Sequence, residues 1–187
     1  MKQIKELCIF DLDETLIRVP GYTDKKAVES FAKITFNHPY EYYDHPLSLN
    51  EELHNIQLIS PVYDAWKNSK SNPESESILI THRVIELEST VIDLLKSRGI
   101  TFNSTHFLGR ASAKSDVIEY LITFEYDPFS IVKIKIFEDS IDQIFKYQQY
   151  FNNLSYNIDV EYWIVDKSRM FRIYDIALTN KTRIELI

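Results

Sequence analysis

The sequence predicts an α/β fold, a doubly wound parallel sheet with a small insertion after the first strand. Five short apolar segments of strand type recur along the chain, and segments with helical spacing lie between them. Strands that alternate with helices of about 10 to 15 residues form parallel βαβ units, which need helices on both faces of the sheet. The predicted strands are residues 4–10, 76–80, 105–108, 131–137 and 160–165.

The first predicted strand is apolar almost throughout and ends abruptly in acidic residues. Asp11, Asp13 and Glu14 follow Phe10 directly, so charge begins where the buried run stops. An apolar run of this length that is bounded by charge is typical of a strand buried on both faces. The acidic side chains are therefore expected at the carboxyl end of this strand.

The segments after the later strands carry the 3.6-residue spacing of amphipathic helices. The helix after residues 76–80 is predicted to end at Gly99, and Ser112 is predicted to cap the next one. A third helix is expected to start soon after residue 140. The apolar positions that define these helices are Val84, Leu87, Val91 and Leu94; Val117, Ile118, Leu121 and Ile122; and Ile141, Ile144 and Phe145.

Length and composition favour a single domain over residues 1–187. The chain is 44% hydrophobic and has no polar low-complexity tract, which suits one core that folds unaided. Residues 18–60 break the strand-helix rhythm, are rich in aromatic side chains and are predicted to form a small cap-like insertion over the site. Residues 168–187 are predicted to be a C-terminal extension, either an added hairpin or a dimer contact.

Charge and residue usage exclude several classes of protein. The apolar runs are too short to cross a bilayer, and no export signal is readable, so a cytoplasmic protein without membrane contact is expected. One cysteine, Cys8, excludes an internal disulfide framework and is predicted to be a buried thiol. The net charge of −7 disfavours tight nonspecific binding to nucleic acid.

Polar residues stand at the carboxyl ends of three predicted strands. They are Asp11 with Asp13, Thr81, and Glu138 with Asp139. Ligands of open α/β sheets bind at this edge. Four carboxylates gathered there would repel one another unless a cation or raised pKa values compensated. A metal cation at this edge would explain such a cluster.

Four segments together resemble the motifs of the haloacid dehalogenase (HAD) superfamily, whose fold is Rossmannoid. Residues 7–15 end in the pattern DxDxT, and residues 79–83 form an apolar strand ending in Thr81. Lys114 lies at the start of a predicted helix, and residues 134–139 form an apolar strand closed by paired acids. The four occur in the order in which the superfamily has them.

The resemblance implies a role for each catalytic residue. Asp11 would attack phosphorus and form an aspartyl phosphate, while Asp13 would protonate the leaving oxygen and then activate water. Thr81 would hold phosphoryl oxygens, and Lys114 would neutralise the nucleophile and the phosphoryl group. Arg110 is the alternative candidate for the role of Lys114.

The resemblance also implies a Mg²⁺ site and a set of substrate contacts. Asp11, Asp13, Asp139 and Glu138 are the predicted metal ligands. Glu138 departs from the commoner paired-aspartate form, which leaves Asp142 open as the alternative to Glu138. The predicted contacts to the phosphorylated substrate are Thr15, His82, Arg83 and Arg110.

Residues 39–49, with Pro61 and Trp66, are similar to one branch of the superfamily, the Swiss Army Knife RNA repair-like HAD domains. With the four motifs, this resemblance covers about residues 5–150. It implies a phosphatase of nucleic-acid end processing, and an insertion this small would admit a polymer end. Tyr40, Tyr42 and Tyr43 are candidates for stacking on a base, although burial within the insertion is the favoured interpretation.

The expected function is that of a Mg²⁺-dependent phosphomonoesterase with an aspartyl-phosphate intermediate, acting on nucleic-acid ends or nucleotides. Two alternatives stay open at this point. One is a small-metabolite phosphatase, which the acidic net charge favours. The other is a catalytically silent module that binds phosphate. The sequence does not indicate an oligomeric state.

Overall fold

The computed structural model describes residues 1–175 and 183–186, and in them a mostly parallel sheet is flanked by helices. The sheet has seven strands in the order β5-β4-β1-β6-β7-β8-β9. The first five are parallel to their neighbours, and the last two join antiparallel. The strands are β1 (Glu6–Phe10), β4 (Ser75–Thr81), β5 (Ser104–Phe107), β6 (Lys133–Glu138), β7 (Asp159–Asp166), β8 (Arg169–Asp175) and β9 (Arg183–Leu186).

All five predicted strands are present, each within two residues of its predicted limits. In the register of the central strands, Phe10 lies beside both Leu79 and Phe137. The Asp11 amide then donates to the Phe137 carbonyl over 3.0 Å. The acidic ends of β1 and β6 therefore meet at one edge of the sheet.

The strand order changes direction at β1. The chain proceeds from β1 to β4 and β5 on one side, and then crosses to β6 and β7 on the other side. Such a reversal opens a crevice beyond the carboxyl ends of the strands, which is where α/β proteins bind ligands. Asp11 follows β1 directly and Glu138 is the last residue of β6, and these two strands border the crevice.

Helices cover both faces of the sheet because successive residues of the central strands point in opposite directions. Cys8 and Phe10 of β1 pack in one core with α3 (Ser60–Ser71) and α4 (Glu88–Ser97). Leu7 and Ile9 pack in a second core with α5 (Lys114–Tyr120) and α6 (Ile141–Asn152). The predicted burial of Cys8 is confirmed, since it is 2% exposed.

The helix predicted after Ser112 begins differently from the prediction. Ala113 occupies the N-cap position of α5 and makes no side-chain cap hydrogen bond, so Ser112 is not the cap. The helix also ends earlier, because a π-helical turn, Leu121–Glu125, follows it directly. Lys114 thereby becomes the first residue of α5.

The predicted insertion, residues 18–60, has regular structure of its own. Its two ends are joined by the short antiparallel strands β2 (Ile17–Arg18) and β3 (Gln57–Leu58). Between them lie α1 (Lys26–Ala32) and α2 (Pro39–Tyr43). Val28, Phe36 and Tyr42 form a small core inside the insertion.

The C-terminal extension, residues 168–187, contributes strands to the sheet. β8 pairs with β7 and β9 pairs with β8, both antiparallel, which agrees with the hairpin alternative. Residues 176–182 and 187 of the predicted extension lie outside the described residues. Within the described part of the chain, no helix has the length and apolar character needed to cross a bilayer.

Candidate active site

A pocket of about 600 Å³ opens at the carboxyl ends of β1, β4 and β6. Its wall contains five acidic side chains and two basic ones, Lys114 and Arg18, so the surrounding charge is negative. Insertion residues close one side, and the start of α6 closes another. The lining residues are Asp11, Asp13, Glu14, Arg18, Val19, Gly21, Tyr43, Thr81, His82, Lys114, Glu138, Asp139, Ser140 and Gln143.

Lys114 lies at the centre of the acidic cluster. Its Nζ donates to Oδ1 of Asp11 over 2.6 Å and to Oε2 of Glu138 over 2.7 Å. All three side chains are at most 9% exposed. Burial acts to lower the pKa of Lys114, but the charges of Asp11 and Glu138 outweigh it and raise this pKa above its usual range. The lysine is therefore a fixed cation against the predicted nucleophile.

Asp11, Glu138 and Asp139 form a group of acids in which one lysine faces three carboxyl groups. One ligand oxygen from each lies within 4.8 Å of the others. Burial and the charge of Asp11 raise the pKa of Glu138 well above its ordinary value, although Lys114 opposes this. Desolvation and the charge of Asp11 raise the pKa of Asp139 to about 6. Carboxylates in this state fit a hard cation, because its charge would offset their mutual repulsion.

Two acids named as metal ligands or alternatives lie apart from this group. Asp13 is outside it because its carboxylate faces Arg83 instead. Asp142 is exposed in the first turn of α6 and is not part of the pocket wall. The geometry therefore favours Glu138 over Asp142 as the acid that accompanies Asp139.

Arg83 contacts Asp13 through both arms of its guanidinium. Nε lies 2.9 Å from Oδ2 and Nη2 lies 2.7 Å from Oδ1 of Asp13. The arginine side chain is 2% exposed and the aspartate 31%. Bidentate contacts of this kind fix the plane of the carboxylate as well as its position.

The same guanidinium attaches the insertion to the sheet. Nη1 of Arg83 donates to the carbonyl of Tyr43 and, over 2.8 Å, to Oγ of Ser48. Arg83 was predicted to contact the substrate, but it is buried and does not line the main pocket. Its donors face Asp13 and the insertion, and its side chain lines an adjoining cavity, so its contact with the substrate stays a prediction.

Thr81 and His82 stand where β4 ends. Thr81 lines the pocket, is 1% exposed, and its Oγ1 accepts a hydrogen bond of 3.2 Å from the Arg83 amide. His82 also lines the pocket; desolvation of its ring and the charge of Lys114 lower its pKa. A neutral imidazole at neutral pH follows for His82.

Two further predicted substrate contacts lie away from the main pocket. Thr15 is fully buried, and within the described residues its Oγ1 has no hydrogen-bond partner, so contact with a substrate does not fit this geometry. The chain turns inward there, because Glu14 has a φ of 57° and the amides of Leu16 and Ile17 both donate to Leu12. Arg110 pairs with Asp44 and lines a neighbouring cavity.

The structure adds residues that the sequence analysis did not select. Arg18 enters the pocket from the insertion, and Ser140 and Gln143 enter it from the start of α6. Ser140 caps α6 by accepting from the Gln143 amide over 3.3 Å. The available signal was a serine between the acids of β6 and the apolar spacing of α6. Arg18 carried no comparable signal.

Sequence comparison identifies no relative: no protein-family model and no curated protein matches the chain. Its fold is similar to two solved structures. One is a chain of the Pnkp1/Rnl/Hen1 complex, with a TM-score of 0.52, 13% identity and 86% of this protein covered. The other is from the Pnkp1/Rnl/Hen1 RNA repair complex, with a TM-score of 0.50, 15% identity and 84% covered. This protein spans 47% and 42% of the length of those chains.

Proposed function

We propose that this protein is a Mg²⁺-dependent phosphomonoesterase that removes a terminal phosphate from nucleic acid, with RNA as the preferred substrate. The observation that carries the proposal is the contact of buried Lys114 with both Asp11 and Glu138. Asp139 belongs to the same group of acids, and Asp13 follows Asp11 by two residues. A carboxylate held by a buried cation, with a second carboxyl group close by, is suited to phosphoryl transfer through a covalent intermediate.

Asp11, Glu138 and Asp139 are the residues that would hold the Mg²⁺ ion. The ion supplies positive charge against the phosphoryl oxygens and the nucleophile. Without it, the acidic pocket would repel a phosphate ester, since five carboxylates stand against the charges of Lys114 and Arg18. This charge imbalance supports a metal requirement.

In the first half-reaction, an oxygen of Asp11 attacks phosphorus and the bond from phosphorus to the ester oxygen breaks. Lys114 would keep the Asp11 carboxylate in place for the attack through its contact with Oδ1. Asp13 gives its proton to the departing oxygen, so the alcohol leaves neutral. Arg83 orients Asp13 for this step through its bidentate contact.

In the second half-reaction, Asp13 takes a proton from water as the water attacks the aspartyl phosphate. The bond between phosphorus and Asp11 breaks, inorganic phosphate leaves, and both aspartates return to their starting states. Arg83 holds the Asp13 carboxyl group in place for this step as well. Lys114 and Arg18 offset the negative charge of the phosphoryl group throughout.

Two features support a nucleic-acid end as the substrate. The fold is similar to chains of an RNA repair complex, and the insertion is too small to close over the site as a separate domain. The acidic net charge of −7 favours the alternative, a small phosphorylated metabolite. A panel of phosphorylated oligonucleotides, mononucleotides and sugar phosphates separates the two, and a preference for sugar phosphates would reject the nucleic-acid substrate.

The central experiment measures phosphate release from a terminally phosphorylated RNA oligonucleotide with Mg²⁺ and with EDTA. We expect release with Mg²⁺, none with EDTA, and none from Asp11→Asn. Asp142→Asn is the matched control, because it removes an acid from the same region that lies outside the pocket wall. Full activity of Asp11→Asn would reject the mechanism, and an inactive wild-type protein would favour a silent phosphate-binding module.

A further inference from the structure

A second cavity of about 330 Å³ adjoins the main pocket on the side of the insertion. The two cavities share Asp13, Tyr43 and His82 in their walls. Pro39, Tyr40 and Arg110 line only the second one, while Asp11 and Lys114 line only the first. The volume lies at the lower end of the range of about 300–1,000 Å³ for small-molecule sites.

Phosphoester chemistry determines which part of a substrate would enter this cavity. The acid that protonates the leaving oxygen has to lie within hydrogen-bond reach of that oxygen. If Asp13 is the acid, the alcohol part of the ester begins beside Asp13 and continues away from Asp11. The cavity that shares Asp13 but not Asp11 is therefore placed to receive the leaving group.

Planar groups make up part of the wall of this cavity, together with Asp13, Pro39 and Asp44. The guanidinium carbon of Arg110 lies 3.8 Å from the centre of the Tyr40 ring. The His38 ring is stacked on Tyr40 with 5.0 Å between centroids and 11° between planes. Arg110 is held in place by its ion pair with Asp44. Arginine guanidiniums and aromatic rings are the surfaces on which proteins stack unpaired bases.

Exposure distinguishes Tyr40 from the other tyrosines of the insertion. Tyr40 is 44% exposed, whereas Tyr42 is fully buried in the core of the insertion. Tyr43 is half-buried, and its hydroxyl accepts from the Tyr22 amide over 3.2 Å. The sequence analysis favoured burial for all three, which is correct for Tyr42 and wrong for Tyr40. The Tyr40 ring contacts Arg110 and His38 at the surface of the insertion.

We propose that this cavity binds the base of the nucleotide whose phosphate is removed, with the base stacked on the Tyr40–Arg110 pair. The inference rests on the proposed phosphatase function and specifies its substrate as a nucleoside ester. Asp44 and Arg110 add an acceptor and a donor at the cavity wall, which suit the polar edges of a base.

The test compares two phosphorylated RNA oligonucleotides that differ only at the terminal residue, one with its base and one abasic. We expect wild-type kcat/KM to favour the terminal base by about 5- to 150-fold, which corresponds to the usual contribution of one stacked base. Tyr40→Ala should lose most of this preference, because its kcat/KM for the base-bearing substrate should fall. Tyr40→Phe is the matched control and should keep it, because the ring is retained.

Arg110→Lys separates stacking from charge. It keeps the positive charge but removes the planar group, so we expect the ratio of kcat/KM for the base-bearing over the abasic substrate to fall. If Tyr40→Ala lowers the cleavage of both substrates equally, its role is structural and the proposal fails. A wild-type protein that does not distinguish the two substrates would also overturn it.

A protein that releases no phosphate from any ester would reject the proposed function but would still allow the base cavity to be tested. The same two oligonucleotides, labelled with fluorescein at the far end, are then titrated with protein and followed by fluorescence anisotropy. Tighter binding of the base-bearing end, lost in Tyr40→Ala and kept in Tyr40→Phe, supports the cavity. Equal affinities for the two ends overturn it.

Discussion

The guanidinium of Arg83 makes a bidentate contact with Asp13, and a third nitrogen of the same group holds the insertion through Tyr43 and Ser48. The residue two positions after the predicted nucleophile is thereby joined to the insertion by one buried cation. The placement of Asp13 and the docking of the insertion consequently depend on each other.

Replacing Arg83 should lower both the free energy of unfolding and the rate of phosphate release. In Arg83→Met the side chain keeps much of its apolar volume, but Asp13, Tyr43 and Ser48 lose their donor. Breaking a buried ion pair costs about 3–5 kcal/mol, and we expect the lower end because Asp13 is 31% exposed. Urea unfolding measures the loss, and phosphate release should fall because Asp13 is no longer held.

The control for this substitution is Arg169→Met. Arg169 pairs with Asp166 over 3.4 Å, with both side chains more than half exposed, so its loss should change stability by about 0–1 kcal/mol. Equal effects of the two substitutions would show that the contact between Arg83 and Asp13 contributes no more than a surface ion pair.

Lys114→Met should strongly lower kcat and should make the stability of the folded protein depend more on Mg²⁺. Losing a fixed positive donor at a reacting centre typically costs about 10²- to 10³-fold in kcat. Asp11, Glu138 and Asp139 would then repel one another without a counter-charge, so a cation should stabilise the variant more than the wild type. Thermal unfolding with and without Mg²⁺ measures this difference in Tm shift.

Lys96→Met is the control for this experiment, because Lys96 is exposed in the last turn of α4. It should show wild-type activity and a wild-type Mg²⁺ shift. The metal site as described would be wrong if Lys114→Met and the wild type gained the same Tm on adding Mg²⁺.

The parallel sheet and its acidic edge were predictable because both depend on local pattern. Each of β1 and β6 changes from apolar to acidic within one residue, and parallel pairing then brings the two ends together. The carboxyl-end position of Asp11, Glu138 and Asp139 follows from strand direction alone. Their association needed no knowledge of side-chain conformation.

Contacts between distant positions were not predictable in the same way. Arg83 and Asp13 lie 70 residues apart, and a sequence pattern does not tell whether a guanidinium will meet a phosphate or a carboxylate. Thr15 is fully buried, and it directly follows Glu14, whose φ of 57° is left-handed. That conformation is uncommon outside glycine, and no residue type announced it.

Stability should fall with alkaline pH partly because of Cys8. Burial and the charge of Glu6 raise the pKa of Cys8 to about 12, whereas a free thiol ionises near 8.5. Above the unfolded pKa the unfolded chain loses a proton that the folded chain keeps, so stability is full below about pH 8.5 and declines as pH rises towards 12. The slope for one group is at most about 1.4 kcal/mol per pH unit.

The measurement is urea unfolding of wild type and Cys8→Ala between pH 8 and 9, below the range in which exposed tyrosines ionise. Cys8→Ala should start less stable but lose less stability over this interval. Parallel losses in the two proteins would contradict the assignment. A thiol reagent at pH 8 gives an independent check, since Cys8 should react only as the protein unfolds.

Tyr42 and Tyr40 lie two residues apart on α2, but truncating them should change the stability of the insertion by very different amounts. The Tyr42 ring contacts Tyr22, Phe36, Tyr43 and His54 edge-on and is fully buried. Removing a buried aromatic ring costs about 3–5 kcal/mol, which should open the insertion locally before the sheet unfolds. Tyr40 is 44% exposed, so Tyr40→Ala should stay within about 0.5 kcal/mol of wild type.

Limited proteolysis detects this difference, because local opening exposes the backbone of residues 18–60 while β1 and β6 stay folded. Tyr42→Ala should be cut within the insertion faster than wild type, and Tyr40→Ala at the wild-type rate. Tyr42→Phe should be protected nearly as well as wild type, since the hydroxyl contributes only a 3.4 Å contact to His54. Faster cutting of Tyr40→Ala would mean that this ring stabilises the fold of the insertion. Its effect on base preference would then report a structural change and would not measure contact with the base.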